Sequence, residues 1–419
     1  MAEPIVLVAG NDILEGTGGH PGYVRAHAWA ARRAGFEPHI FALSRSSGTV
    51  ETDFGTVHRI PVRVGLEGWP FLRHRKNQLV WRYAVLARAV ASFVLARRDA
   101  HLIHSFGVFG SVGVMARDML RRHGIDVVPV LSSYDTATRE VTAKVHGVSR
   151  AHGRIRRLAY KAELVWIRLV VARYEQAGYL GSRLVLVNYE SVRRLLATSY
   201  GIDDKIRKLP YSSEAAFRPP SPSPSQLPPA LARDPLSDAP LVVAISRHDP
   251  RKGVDVLLHA LARVRRAKVR FRACLVGGGA LLVAHRRLAD RLGLSDITAI
   301  VGPVPDPYPY LENADIFVLP SLEEGSGSLS LLEALQAGVA VIASGVDGIP
   351  EDVTDGETAL LVPPGDAVQL AAAIERLLNE ETLRKDIAQR GRRTFEARFS
   401  SDVFSAALRR AYAELGATP

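Results

Sequence analysis

Two cations five residues apart, Arg247 and Lys252, lie between the apolar run Leu241–Ile245 and a stretch of helical spacing that begins near Val254. A strand, a short basic loop and a helix N-terminus in succession place two positive side chains and unpaired backbone N–H groups at one strand end. That arrangement suits phosphate oxygens. The competing reading is an ordinary solvated basic loop. A second group follows Ile316–Leu319. Here Pro320-Ser321-Leu322-Glu323-Glu324-Gly325-Ser326-Gly327-Ser328 joins Leu329-Ser330-Leu331-Leu332-Glu333-Ala334. The small residues expose loop amides, and the glutamates offer acceptors to sugar or ribose hydroxyls. Alternatively, the glutamates only complement the helix dipole. A third group is Gly16, Gly18, Gly19 and Gly22, directly after the apolar run Ile5–Ala9. A Cβ at Gly19 would obstruct close approach of a ligand to the backbone; a plain flexible turn is the other reading. His104 closes the strand candidate His101–His104 and reads either as a reacting group or as a satisfied core histidine. No Asp-x-Asp pair or histidine cluster has metal-ligand spacing, so no metal is expected. Cys274, the single cysteine, sits in the apolar run Phe271–Val276 and reads as a core residue.

Elements that would position these groups alternate along the chain. Ile5–Ala9, the glycine loop and Tyr23–Ala34 open an α/β unit, with strands expected at Pro38–Ala42 and Val57–Val62. Basic helical stretches are expected at Arg73–Arg98 and His152–Gln176, a helix at Gly107–Arg122, a strand at Asp126–Leu131, and a strand and helix at Leu184–Val187 and Ser191–Tyr200. Arg218–Pro240 is dense in proline and serine, which excludes a ladder and marks a connector. Beyond it the alternation restarts: helices at Val254–Arg266, Leu281–Leu292, Leu329–Gln336, Ala367–Asn379 and Glu381–Ala397, and strands at Ile297–Val301, Val339–Ala343 and Ala359–Val362. Almost wholly apolar strands between helices imply parallel sheets covered on both faces. The expected organisation is an α/β chain of two doubly wound, Rossmann-like domains facing each other across a cleft. These are 1–218, with the terminal helix 400–419 packing back on it, and 241–399, joined by the linker 219–240.

The chain has 419 residues, 47% hydrophobic and 23% charged, which excludes a disordered scaffold and a disulfide-stapled mini-protein. Met1–Val8 lacks a signal-peptide pattern, and no window holds an uninterrupted membrane-spanning run, so a cytoplasmic protein is expected. The net charge of +11 is uneven. Residues 1–240 carry 33 Lys/Arg against 20 Asp/Glu, and the rest carry 21 against 23. The excess in the first half, with Arg- and Trp-bearing helices around Trp81 and Trp166, suggests an acidic acceptor or peripheral contact with an anionic membrane. The plainer reading is solubilisation of an Ala/Arg-rich chain. Zinc, basic-zipper and aromatic-sheet signatures of nucleic-acid binding are absent.

The second half resembles the donor-binding domain of retaining glycosyltransferases of family 4, which have the GT-B fold. The resemblance rests on an ordered set: Arg247…Lys252-Gly253, Leu275-Val276-Gly277-Gly278-Gly279, Ala314-Asp315-Ile316-Phe317-Val318-Leu319-Pro320-Ser321, Glu333-Ala334, Gly338–Ser344, Asp347-Gly348-Ile349-Pro350-Glu351 and Asp355-Gly356. It implies a retaining hexosyl or N-acetylhexosaminyl transferase that moves sugar from a UDP-, GDP-, ADP- or dTDP-sugar to an acceptor (a small molecule, glycan, lipid or natural product), without a metal or other cofactor. Arg247 and Lys252 would neutralise the diphosphate, and Glu333 would bind the ribose. Gly18, Gly19, Gly277, Gly325, Ser326, Gly327, Ser328 and Leu329 would line the donor. The family's first glutamate precedes the second by eight positions, which lands on Gly325. Glu324, nine away, is preferred over Glu323 because the Gly-Ser-Gly loop follows it. His104 matches the first histidine of a His-x-His pattern whose second is replaced by Phe106, and Pro210-Tyr211-Ser212-Ser213-Glu214 stands where the family has a Pro-Asn-Gly turn. Two readings compete with a transferase: another GT-B nucleotide-sugar enzyme such as an epimerase, and a non-enzymatic polyanion binder.

Overall fold

The computed structural model describes residues 2–15, 19–62, 80–134, 136–139, 142, 161–218 and 238–419. The proline-rich stretch 219–237, the start of the first basic helical stretch at 73–79 and the start of the second at 152–160 lie outside the described residues, as does Gly18. The chain divides into two compact units, Met1–Phe217 with Ser401–Pro419, and Arg218–Ser400.

In the first unit, eight strands form one sheet: β1 (Pro4–Asn11), β2 (Glu37–Ser44), β3 (Gly48–Thr52), β4 (Gly55–Pro61), β5 (Leu102–Phe106), β6 (Val128–Ser133), β7 (Leu184–Val187) and β8 (Ile206–Lys208). Their spatial order is β3-β4-β2-β1-β5-β6-β7-β8. Ile5, Val6, Leu7, Val8 and Ala9 are all fully buried, as a central strand covered on both faces requires. The sheet is parallel as expected except at its edge, where β3 runs antiparallel to β4. The strand Gly48–Thr52 is mostly exposed and carries no apolar run, so it left no signal in the pattern. Two helices also depart from regularity. The expected Gly107–Arg122 helix starts as a 3₁₀ turn over Gly107–Phe109, and Ile167–Val171 is a π turn leading into Ala172–Gly181. Ser401–Ala413, the last helix, packs on the helix Gly19–Arg33 within this unit.

Six parallel strands build the second unit: β9 (Leu241–Ile245), β10 (Arg272–Val276), β11 (Thr298–Gly302), β12 (Ile316–Leu319), β13 (Ala340–Ser344) and β14 (Leu360–Val362). Their order is β11-β10-β9-β12-β13-β14. One core joins Val242, Ala244, Leu275, Ile316 and Ile342 from the sheet to Leu257, Leu261 and Ile374 from the helices Val254–Arg266 and Ala367–Asn379. The latter helix is capped by Asp366, whose carboxylate accepts from the N–H groups of Val368 and Gln369, both at 2.9 Å. Cys274 is fully buried in β10, and burial pushes its thiol up to about 12.

Candidate active site

In the second unit β10, β9, β12 and β13 are parallel neighbours, so the loops leaving their C-terminal ends emerge at one end of the sheet. The winding reverses between β9 and β12: β10 and β11 extend to one side, and β12 onward to the other. Such a switch point opens a crevice between the two loops that flank it. Those loops are Ser246–Gly253 and Pro320–Ser328, the ones that carry Arg247, Lys252 and Glu324.

They are locked together. Arg251 C=O accepts from Leu322 N–H at 2.7 Å and from Glu323 N–H at 3.2 Å. Gly253 has φ +58°, and a Cβ there would lie 2.0 Å from the Pro320 carbonyl oxygen, so only glycine allows this approach. Lys252 Nζ donates to Glu324 Oε2 at 2.5 Å, and Ser321 Oγ donates to Glu324 Oε1 at 2.5 Å. The Glu324 side chain is 4% exposed and that of Lys252 15%, so this ion pair is largely withdrawn from water. Arg247 differs: its side chain is 59% exposed and reaches Asp249 at 3.3 Å. Asp249 caps the one-turn helix Pro250–Lys252 by accepting from Arg251 N–H at 3.0 Å.

Between the two candidates for the first glutamate, the structure places Glu324 against Lys252, whereas Glu323 binds Arg251 C=O through its backbone. At Gly325 the loop amide has a partner within the protein. Its N–H and that of Glu324 both donate to Asp347 Oδ2, each at 2.8 Å. Asp347 holds this position from the loop after β13 at φ +51°, an uncommon conformation for a residue with a side chain. The next residue ties the same two loops again, with Gly348 N–H donating to Ser326 C=O at 2.7 Å. Ser328 precedes the helix Leu329–Ala337 in an extended conformation, and Glu333 lies on that helix. Tyr308 is pushed up to about 12, chiefly by burial and then by Glu312, with a smaller contribution from Glu333. Gly277 ends β10 at φ +144°; a Cβ there would lie 1.9 Å from the Ser246 carbonyl oxygen, which sets the glycine turn directly against the cationic loop.

The first unit has its own switch point, between β1 and β5. Gly19 is the first residue of its helix, and a Cβ added there would meet nothing within 4 Å. Next to it, His20 Nδ1 is 2.5 Å from Tyr134 Oη, and its Nε2 is 2.8 Å from Ala9 C=O. His104 is completely buried in β5. Its Nδ1 meets Tyr412 Oη at 2.7 Å and its Nε2 meets Ser132 Oγ at 2.8 Å. Desolvation, with His27 adding to it, lowers its pKa well below the ordinary histidine value. With both ring nitrogens occupied and no exposed surface, His104 takes the core reading rather than the reacting one. Among the described residues, no group of three His, Cys, Asp or Glu side chains is arranged to hold a metal ion.

Sequence reasoning missed Asp347 as a working side chain, and it missed His20 and the buried pair His248–His285. Asp347 was visible only as part of a family motif, and an aspartate after a strand otherwise resembles any loop residue.

A family described as "Glycosyl transferases group 1" matches residues 232–394. A GDP-mannose-dependent alpha-(1-6)-phosphatidylinositol monomannoside mannosyltransferase of Mycobacterium tuberculosis (strain CDC 1551 / Oshkosh) is 30% identical over 313 residues, covering 71% of this chain and 78% of that protein. The chain belongs to the group 1 glycosyl transferases. Among solved structures, sucrose-phosphate synthase from Thermosynechococcus elongatus superposes with a TM-score of 0.74 at 23% identity, covering 99% of both chains. HepE of Anabaena in complex with UDP-glucose superposes with 0.68 at 15%, covering 98% of this chain and 100% of that one. Two Rossmann-like units with parallel sheets of eight and six strands, one of them edged by an antiparallel strand, give this glycosyl transferase the GT-B architecture.

Proposed function

We propose that this protein is a retaining glycosyltransferase of family 4, which moves a hexosyl or N-acetylhexosaminyl group from a nucleoside-diphosphate sugar to an acceptor hydroxyl without a metal. The observation that carries the reading is the joining of the Arg247–Lys252 loop to the Glu324 loop at the β9/β12 switch point. The curated relative that uses GDP-mannose and the neighbour bound to UDP-glucose support a nucleotide-sugar donor of one of these kinds.

In this mechanism the bond between the anomeric carbon and the diphosphate oxygen breaks with its electron pair going to the diphosphate. Positive charge grows on the sugar and negative charge on the leaving group. Lys252, Arg247 and the N-terminus of the Leu329–Ala337 helix stabilise the departing charge, the part of the barrier that fixed cationic donors lower most. The acceptor oxygen attacks from the face the diphosphate leaves, and a phosphate oxygen takes its proton, so configuration is retained and no protein base is consumed. In this reading Glu324 accepts from sugar hydroxyls and Glu333 from those of the ribose. Glu324 holds Lys252, which leaves both charges compensated.

Thermal shift with UDP-, GDP-, ADP- and dTDP-sugars identifies the donor, and NMR of the product's anomeric coupling tests retention. Conversion of the donor into a rearranged sugar nucleotide with no acceptor present would favour the epimerase reading instead. Full activity in excess EDTA is expected from the metal-free mechanism.

The proposal includes an acceptor presented at an anionic membrane surface. Val165, Trp166 and Leu169 are exposed at 56%, 43% and 60%, alongside the exposed Lys161, Arg168 and Arg173. Apolar side chains set among cations suit a lipid interface. Among the described residues no helix is long and apolar enough to cross a membrane. Flotation with vesicles containing phosphatidylglycerol should recover the protein at low salt, and Leu169→Glu should reduce that recovery; equal recovery with neutral vesicles would remove this part.

A further inference from the structure

The loop that carries Arg247 and Lys252 is fastened by a buried histidine. His248, between Arg247 and Asp249, is 1% exposed, and His285 on the helix Leu282–Arg291 is 4% exposed. Their Nδ1 atoms are 2.8 Å apart, with ring centroids 5.0 Å apart and planes tilted by 43°. The backbone of His248 is clamped at both ends. Its N–H donates to Gly278 C=O at 2.8 Å, and its C=O accepts from Leu281 N–H at 2.9 Å. Gly279, at φ +148°, fits against the same peptide, because a Cβ there would lie 2.5 Å from the His248 carbonyl oxygen. The cationic loop, the glycine turn after β10 and the following helix therefore meet at one side-chain pair.

Two Nδ1 atoms at this distance can share only one proton. One ring donates Nδ1–H and carries no proton on Nε2, while the other accepts at Nδ1 and carries its proton on Nε2. Desolvation lowers the pKa of both rings, His248 to about 4 with help from His285 and Arg286, so the pair is neutral near pH 7 and the bond is intact. An aromatic contact of equal size without that proton would fill the space but remove the side-chain bond, leaving only the backbone clamps at Gly278 and Leu281 to set the height of the loop. Neutral buried hydrogen bonds contribute only about 1 kcal/mol each to stability. Their directionality, however, fixes where a ring, and hence a neighbouring backbone, can sit.

We propose that the His248–His285 pair is a positioning element for donor binding, holding the Arg247–Lys252 loop at the height at which its cations meet the diphosphate. This inference rests on the donor site proposed above, and the experiment separates the two. Titration calorimetry with GDP and with UDP, well below the melting temperature, compares the wild type with His285→Phe, His285→Asn and Lys252→Ala. His285→Phe should weaken whichever diphosphate binds by about fivefold, the factor that corresponds to one lost hydrogen bond of ~1 kcal/mol. It should raise the KM for donor by the same factor and leave kcat at saturating donor within about twofold. His285→Asn, whose amide offers a donor and an acceptor at the Nδ1 position, should restore most of the affinity. A purely structural pair would lower the melting temperature in His285→Phe and leave the affinity and KM unchanged, which overturns the inference. If Lys252→Ala also binds like the wild type, the donor site itself is refuted; if Lys252→Ala is weakened and His285→Phe is not, only the positioning role is. Should His285→Phe not fold, His285→Leu, which lacks the ring and leaves more room, carries the same comparison.

Discussion

The two units bury their polar side chains in different places. In the second unit Lys252, Glu324, Asp347 and the His248–His285 pair all lie on loops at one end of the sheet or on the helix beside them, and the core below is apolar. In the first unit one buried polar group reaches from the sheet into the helices that cover it. His27, His104, Ser132 and Tyr412 lie among strands and helices, with His27 edge-on to Phe106 and Phe404. Buried polarity at the end of a parallel sheet is disposed for binding, because a ligand entering there meets it first. The same side chains beneath the sheet surface can only hold the core in register. The comparison teaches that a buried histidine gains meaning from its position along the strand rather than from its chemistry.

The largest effect that could break this contrast concerns Lys252. It is pinned on Glu324 at a side-chain exposure of 15%, whereas Arg247 is 59% exposed. A fixed, desolvated cation stabilises a leaving group more than a mobile, hydrated one. Lys252→Ala should therefore lower kcat by a factor of about 10²–10³, the range for loss of one preorganised donor. Arg247→Ala should cost visibly less. Single-turnover rates with the donor found by thermal shift decide this, and an Arg247 effect equal to that of Lys252 would break the contrast between the fixed and the mobile cation.

Next in size is acid stability. Burial holds His27 at about 4 against an ordinary 6.5, and it lowers His104, His39 and His58 as well, the last to about 4. The folded state thus refuses protons that the unfolded chain accepts. The associated stability is complete above pH 6.5 and is lost as the pH falls from there towards 4. For the fully buried His27 alone the loss amounts to roughly 3 kcal/mol at pH 4. The second unit has only His248 and His285 in this condition among the described residues. All four tryptophans (Trp29, Trp69, Trp81 and Trp166) belong to the first unit's sequence, so their fluorescence reports that unit alone. On acidification the fluorescence transition should come at higher pH than the loss of helical circular dichroism. Coincident transitions would show the units unfolding as one.

How much could be read beforehand follows the same divide. Leu241–Ile245, Val254–Arg266, Ile316–Leu319 and Ala367–Asn379 carry the boundaries that hydrophobic period and turn residues assign them, because local preference and burial agree there. Gly48–Thr52 was illegible for the opposite reason: an exposed edge strand has no buried face to impose a period. At the candidate site, the cations and glutamates could be named by type and order, and the structure brings Lys252 and Glu324 together. What sequence spacing could not supply was which amides Asp347 would occupy, since that depends on a loop from another strand and a backbone at φ +51°. Nor could it show that His248 meets a ring 37 residues further on.

The smallest effect tests the core side of the contrast. Tyr412 Oη binds His104 Nδ1, and both residues are fully buried, Tyr412 on the last helix and His104 in β5. Tyr412→Phe keeps the ring and its packing against Phe36 but leaves one histidine nitrogen without a partner. That desolvated group should cost about 1–3 kcal/mol, visible as a lower denaturant midpoint with an unchanged slope. Turnover per folded molecule should not change, because a hydrogen bond that only secures the core has no share in a step at the loops. A fall in kcat without a fall in stability would give His104 a role in the reaction after all, and it would erase the distinction between polarity held in the core and polarity offered at the end of a sheet.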